Sequence, residues 1–172
     1  DISDLAKKRY GSWVIIHNRP DEICGDLVSM NTIIADDISR TDCENYFQTH
    51  STNPLLSKTT IESAVEMYFD QIENGTDSLF SVTSLQVRLF TRNLHPLNHN
   101  DGELLRTQDL DPVYEENSNF YLFSKSSFLS ADNNRIGKNP AFFIMNRLES
   151  IDIDNEEDFI IAESVYEKVN NK

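Results

Sequence analysis

Short apolar runs alternate along this chain with stretches of helical spacing, and that alternation is the first constraint on its fold. Residues 5–10 carry Lys7, Lys8 and Arg9 and are closed by Gly11, which predicts the last turns of a helix. Trp13-Val14-Ile15-Ile16-His17 is continuously apolar and predicts a short, buried strand of the parallel type. A helix is expected over 29–38 and a second strand over 46–49, with Pro54 ending the loop that follows. Thr60-Ile61-Glu62-Ser63 predicts a capped helix start. Ile61, Ala64, Val65, Tyr68, Phe69 and Ile72 then recur at helical spacing until Gly75 closes the element. Residues 78–82 read as a third apolar strand. Strands and helices alternating in this way argue for an α/β fold with right-handed crossovers and a mainly parallel, Rossmann-like sheet.

After Val82 the pattern changes. Apolar and polar residues alternate over 85–99 (Val87, Leu89, Leu94, Leu97) around a turn near Arg92-Asn93, as in a protruding hairpin. A strand at 120–123, a short helix at 124–129, a loop at 132–134, a strand at 142–145 and an amphipathic helix over 158–169 complete the reading. The 172 residues form one domain without repeats or low-complexity tracts, and the first recognisable element is the end of a helix.

Charge narrows the function. Fifteen basic against 29 acidic side chains leave a net charge of −14. A balance this acidic argues against nucleic-acid backbone binding, which needs clustered Lys and Arg, and against attraction to anionic membranes. No apolar run approaches the roughly 18 residues of a membrane helix, and the first residues, Asp1-Ile2-Ser3-Asp4, do not resemble a signal peptide. Cys24 and Cys43 are too few and too irregularly placed for a disulfide framework or zinc site. They read as buried or incidental thiols of a cytoplasmic protein, in which Asn74-Gly75-Thr76 is a turn.

The segment Ser150-Ile151-Asp152-Ile153-Asp154 offers the most chemistry. In extended backbone, residues two apart share a face, so Asp152 and Asp154 project together while Ile151 and Ile153 turn inward. Paired hard oxygen donors suit Mg²⁺, which takes one or two protein carboxylates and completes its shell with water and phosphate oxygens; Mn²⁺ would fit as well. The same residues could equally form a solvated acidic turn, with Asp154 as N-cap and Glu157 three positions on. The four histidines, His17, His50, His95 and His99, have no metal-ligand spacing and read as structural or loop residues.

Four segments, in order, resemble the acylneuraminate (CMP-sialic acid) cytidylyltransferases. They are Arg19-Pro20-Asp21-Glu22-Ile23-Cys24-Gly25-Asp26 with Ser29 following; Gln48-Thr49-His50-Ser51-Thr52-Asn53-Pro54-Leu55-Leu56; Arg106-Thr107-Gln108-Asp109-Leu110-Asp111-Pro112 with Glu116-Asn117-Ser118-Asn119-Phe120-Tyr121 after it; and Asp152-Ile153-Asp154 with Asp158-Phe159. The resemblance spans nearly the whole chain. It implies a sheet of the nucleotide-diphospho-sugar transferase type and transfer of CMP from CTP to a nonulosonic acid such as N-acetylneuraminate, with release of pyrophosphate.

The resemblance also implies roles. Arg19 and Ser29 would lie by the cytosine, Gln48, Asn117 and Tyr121 by the sugar, and Arg106 by its carboxylate or the phosphates. Asp152 and Asp154 would hold the metal. The insertion over 85–111, with Val87, Leu89, Phe90, Leu94, Leu97, Leu104 and Leu105, would reach a second subunit and make a homodimer whose partner contributes near Arg106 and Tyr121. The family's N-terminal strand and Arg-x-Gly-Ser loop followed by Lys are not matched in this sequence, and Asp1-Ile2-Ser3-Asp4-Leu5-Ala6 resembles the point after its second strand. The expectation is therefore a chain truncated at the N-terminus and inactive by itself. The alternative is a non-catalytic sugar- or nucleotide-binding module that kept the acceptor half and lost the triphosphate loop.

Overall fold

The computed structural model describes residues 2–103 and 105–170; Asp1 of the N-terminal motif and Leu104 of the insertion lie outside the described residues. The chain divides into two compact units, residues 1–43 and 44–172.

In the first unit, helix α1 (Ile2–Tyr10) ends as expected at Gly11, whose φ of +56° is a left-handed stop that costs glycine little. Helix α2 (Met30–Ser39) buries Ile33, Ile34 and Ile38. The expected buried strand over Trp13-Val14-Ile15-Ile16-His17 is not there. Residues 11–13 form a 3₁₀ turn, and the segment after it joins no β-ladder among the described residues. Trp13 is 93% exposed and Ile15 79%. Side chains of α2 and its C-cap hold the segment instead: His17 Nδ1 lies 3.0 Å from Asp37 Oδ1, and Arg40 donates to the Asn18 carbonyl at 3.1 Å. A continuous apolar run specifies burial, not the ladder partner that makes it a strand. Cys24 and Cys43, expected as buried or incidental, are exposed free thiols.

The second unit is built on a four-stranded sheet in the order β1-β3-β2-β4, comprising β1 (Asn45–Thr49), β2 (Ser78–Leu85), β3 (Val113–Ser124) and β4 (Pro140–Ile144). Strands β1, β2 and β4 run in one direction, as the βα alternation predicts. β3 runs against them and sits between β1 and β2, so two of the three strand pairings are antiparallel. The sequence shows only the apolar half of β3, because its first residues, Tyr114 to Glu116, are polar and solvent-facing.

Alternation along β3 divides the sheet faces. Phe120 and Leu122 meet Leu79, Met145 and the Ala64–Tyr68 stripe of helix α3 (Lys58–Glu73) in the main core. Helix α3 starts two residues before the predicted cap; the Ser57 hydroxyl accepts from the Thr60 N–H. Burial pushes the Tyr68 hydroxyl up to about 12, so it stays protonated and donates to Asn45 Oδ1 at 3.1 Å. On the other face, Tyr121 pairs with Gln48, while Phe123 packs on Phe128 of helix α4 (Lys125–Ser130) with ring centroids 5.6 Å apart. Helix α5 (Glu156–Asn170) closes the chain.

The insertion folds as a small hairpin. Phe90 bridges Pro96, the Thr91 N–H donates to the His95 carbonyl at 2.8 Å, and Asn98 bonds Leu89 and Val87 through both ends of its amide. Its apolar residues stay largely uncovered within this chain, with Leu94 79% and Leu97 63% exposed.

Two substitutions separate the real core from the apparent one. Phe120→Ala, at a fully buried position, is expected to lower unfolding stability by about 3–5 kcal/mol through cavity formation. Trp13→Ala should change it by no more than about 0.5 kcal/mol. Urea denaturation of the two variants measures both, and a large loss at Trp13 would restore the buried strand.

Candidate functional site

Cross-strand pairing places Gln48 of β1 directly beside Tyr121 of β3, joining two segments 73 positions apart in the sequence on the face opposite α3. A residue to which the sequence reading gave no role completes the cluster. The guanidinium of Arg135 lies over the Tyr121 ring, 3.6 Å from its centroid, and its Nη1 donates to Gln48 Oε1 at 2.8 Å. Stacking and hydrogen bond together fix the plane of the guanidinium.

The loop that carries Arg135 is anchored from below. Asp132 and Asn133 take left-handed φ values of +57° and +60°. The Asp77 carboxylate accepts from the backbone N–H groups of Lys138 at 2.7 Å and Asn139 at 3.1 Å, and Ser78 Oγ accepts from the Gly137 N–H at 2.8 Å. Any Cβ at position 137 would overlap that carboxylate, so glycine is required there by close approach. The start of β2 thereby positions an arginine about sixty residues downstream.

His50, read from sequence as a structural or loop residue, also belongs to this cluster. Arg135 donates to the oxygen of the Gln48 amide and so turns its nitrogen toward His50, where Nε2 of the two residues lie 2.9 Å apart. The amide N–H must donate there, which places the proton of the neutral imidazole on Nδ1. Protonating Nε2 would set one N–H against another. Burial, and then the Arg135 charge, lower the His50 pKa from its ordinary value, and Asp152 opposes them. Tyr121 is fully buried. Its hydroxyl donates to the Glu116 carboxylate and lies 3.2 Å from Ser118 Oγ; burial, then the Glu116 bond, raise its pKa and keep it protonated.

Asn117 sits at a β-bulge in the β2–β3 ladder, where Ser118 has a φ of +56°. Its amide oxygen accepts from Ser81 Oγ at 2.6 Å and the Asn119 N–H at 3.2 Å, and its nitrogen donates to Thr83 Oγ1 at 3.0 Å. Both ends of the amide are thus engaged in holding the bulge. Arg106 is exposed and forms a bidentate pair with Asp109, at 2.7 and 3.0 Å. Arg19 and Ser29 lie in the first unit, both exposed; Ser29 precedes α2 without a side-chain capping bond.

The acidic segment reaches the loop after β1 through a hydrogen bond from the Ile153 N–H to the Thr52 carbonyl, 3.0 Å long. Asp152 is half-buried, and its Oδ1 is shielded from solvent without a hydrogen-bond partner; both amide atoms of Asn53 are in the same state. Buried polar atoms are normally satisfied, so an unsatisfied carboxylate oxygen here fits a cation-binding role. Asp154 is exposed. The cap of α5 falls one residue later than Asp154: Asn155 Oδ1 accepts from the Glu157 and Asp158 N–H groups, and Asp158 Oδ2 accepts from Asp154 and Asn155. The two Asp side chains are therefore not used for capping. Among the described residues no cluster of three His, Cys, Asp or Glu could hold a metal by itself. Two carboxylates and substrate phosphates are a donor set that Mg²⁺ accepts.

The His50 geometry is open to titration. Its imidazole should titrate below the ordinary histidine midpoint, and Arg135→Gln should raise that midpoint while Asp152→Asn lowers it further. Because the folded value is depressed, the associated stability is complete above the unfolded pKa and is lost as pH falls through the folded one. NMR titration of the ring resonances reads all three midpoints; one unmoved by Arg135→Gln would place Arg135 away from His50.

The family model for Cytidylyltransferase matches residues 1–168. The "Post-translational flagellin modification protein B" of Campylobacter coli is 26% identical over 190 residues, covering 99% of this chain and 76% of that protein. The crystal structure of the 4-diphosphocytidyl-2C-methyl-D-erythritol synthase of Anaerococcus prevotii superposes with a TM-score of 0.61 at 13% identity, covering 96% of this chain and 75% of that one. That likeness bears on the fold, which is the α/β fold of the nucleotide-diphospho-sugar transferases. With almost its full length matched, this chain belongs to the cytidylyltransferase family, a family of CTP-using nucleotidyltransferases.

Proposed function

We propose that the protein transfers CMP from CTP to a sialic-acid-like nonulosonic acid. The observation that carries this reading is the meeting of Gln48, Tyr121 and Arg135 on one sheet face, in electrostatic reach of Asp152 through His50. Hydroxyl-reading, stacking and cationic groups stand there with Asp152 in reach as a donor suited to a phosphate-bound cation. The flagellin-modification name of the Campylobacter coli relative is in keeping with activation of a sugar acid for attachment to protein.

In this reaction the acceptor's anomeric hydroxyl attacks the α-phosphorus in line. The new P–O bond forms as the bond to the bridging oxygen breaks, pyrophosphate leaves, and the hydroxyl proton is lost. Gln48 orients the sugar through its amide, and buried Tyr121 supplies the wall against which Arg135 is held. Arg19 and Ser29 read the cytosine; an Arg fork matches a base carbonyl. Arg106 serves the carboxylate or the phosphates by exchanging Asp109 for the ligand. Asp152 and Asp154 would hold Mg²⁺ (or Mn²⁺), which when bound supplies charge neutralisation on the phosphates. No helix among the described residues is long and apolar enough to cross a membrane.

The full-length gene product, given CTP, Mg²⁺ and N-acetylneuraminic, legionaminic or pseudaminic acid, is expected to release pyrophosphate; no turnover with any of them would overturn the proposal. Asp152→Asn and Asp154→Asn should each lower kcat by about 100-fold or more, the scale of losing a preorganised electrostatic partner, with unchanged circular dichroism. If both keep wild-type turnover at low Mg²⁺, the pair holds no metal.

We also infer a homodimer. The exposed Val87, Phe90, Leu94, Leu97 and Leu105 make an apolar hairpin surface suited to an isologous contact that brings the partner near Arg106 and Tyr121. Light scattering at micromolar concentration should give twice the monomer mass, reduced by Leu89→Asp and Leu94→Asp. A monomer mass unaffected by either change rules the dimer out.

A further inference from the structure

We propose that His50 is a positioning residue for the acceptor: its imidazole fixes the amide plane of Gln48, and through it the sugar group, at once donor and acceptor, that Gln48 reads. This deepens the transferase reading and rests on it, since Gln48 orients the sugar there. Donor and acceptor chemistry carries the assignment. Arg135 Nη1 donates to Gln48 Oε1 at 2.8 Å, and a guanidinium only donates, so the amide oxygen must face it. The amide nitrogen then faces His50, with the two Nε2 atoms 2.9 Å apart. Only an imidazole with a lone pair on Nε2 can accept there. Burial and the Arg135 charge favour that neutral ring, while Asp152 opposes them.

One anchor fixes one atom of the amide, and two fix its plane. The last torsion of a glutamine side chain is broad and roughly two-fold, so an amide held only at Oε1 can still pivot about that oxygen. The imidazole closes this freedom. The backbone that carries both residues is itself held. His50 follows directly on β1, two residues after Gln48, so strand alternation turns both side chains to one side. Between them, Thr49 ties the strand end to β3 by donating from its hydroxyl to the Asn119 carbonyl at 2.7 Å.

With one N–H spent on His50 and one oxygen lone pair on Arg135, the Gln48 amide keeps a second N–H and a second lone pair for a ligand. A sugar hydroxyl or an acylamido group uses both. The direction of these two sites is set by His50 and Arg135 together, before the acceptor arrives, and such preorganisation is gained as affinity. Removing the imidazole lone pair is expected to raise the acceptor KM about 3- to 10-fold, the scale of one neutral hydrogen bond. The CTP KM and kcat should move by less than about twofold, as for a group that acts on binding alone.

The experiment uses the full-length protein with CTP, Mg²⁺ and the acid of the three above that is turned over best, or bound most tightly. It compares wild type, His50→Gln, His50→Leu, Gln48→Ala and the double variant of the last two. His50→Gln returns an acceptor oxygen near the place of Nε2 and should keep the acceptor KM within about twofold of wild type. His50→Leu should raise it, yet add nothing in the Gln48→Ala background, because residues that act through one contact are not additive. Should His50→Leu not fold, His50→Asn, whose shorter amide does not reach Gln48, takes its place in the cycle. An effect of His50→Leu that is equal with and without Gln48 overturns the proposal and leaves the transferase reading intact. So does a loss in His50→Gln as large as in His50→Leu. Calorimetric titration of the same acid without CTP separates the other case. If binding follows the expected order of variants but wild type releases no pyrophosphate, the transferase reading fails and the positioning role stands. If wild type neither binds nor turns over any of the acids, both fall.

Discussion

The second unit depends on the two-residue alternation of β3 at its buried centre. Phe120 and Tyr121 are adjacent and both wholly buried, yet they point to opposite faces of the sheet. Phe120, with Leu122, meets α3 and forms the core; Tyr121 stands in the candidate site beside Gln48. A one-residue slip would exchange the two faces. It would send the tyrosine hydroxyl into the core and remove the ring on which Arg135 rests. Core packing and site geometry are therefore one constraint.

That constraint is reinforced where the ladder is irregular. The bulge near Ser118 lets the polar beginning of β3 leave the regular register, and the loss of ladder bonds is made good by side chains. Asn117 bonds Ser81 and Thr83, and Ser81 Oγ accepts from the Phe120 N–H. A second set of side-chain bonds, from Asp77 and Ser78 to the backbone of 137–139, sets the loop before β4. Both sets originate at β2 or the residue just before it, so the central strand fixes the register of β3 on one side and the place of Arg135 on the other.

Electrostatics gives the site its contrast with the rest of the molecule. The chain is strongly acidic, while inside the site a stacked guanidinium biases the amide of Gln48, which in turn fixes the tautomer of His50. Asp152 keeps an unsatisfied buried oxygen near this arrangement. Cationic and anionic groups are thereby kept apart within a small space.

Periodicity and turn chemistry alone determined the helices over 58–73 and 156–170, the apolar cores of the strands, the Gly11 and Gly75 stops and the α/β class, because each is a local pattern with a local cause. The resemblance carried by ordered motifs brought Gln48, Tyr121 and Asp152 forward as candidate site residues, each inside a contiguous segment that the linear sequence displays. Tertiary structure decided what depends on a distant partner. Trp13 to His17 carries the apolar signal of a strand, but without a ladder it is not one. β3 looked four residues long because its polar half is held by pairing and by Asn117. Arg135 gave no signal, and His50, though it lies inside the segment that begins at Gln48, read only as a structural or loop residue: both gain their places from Tyr121, Gln48 and Asp77, contacts that a linear chain does not display.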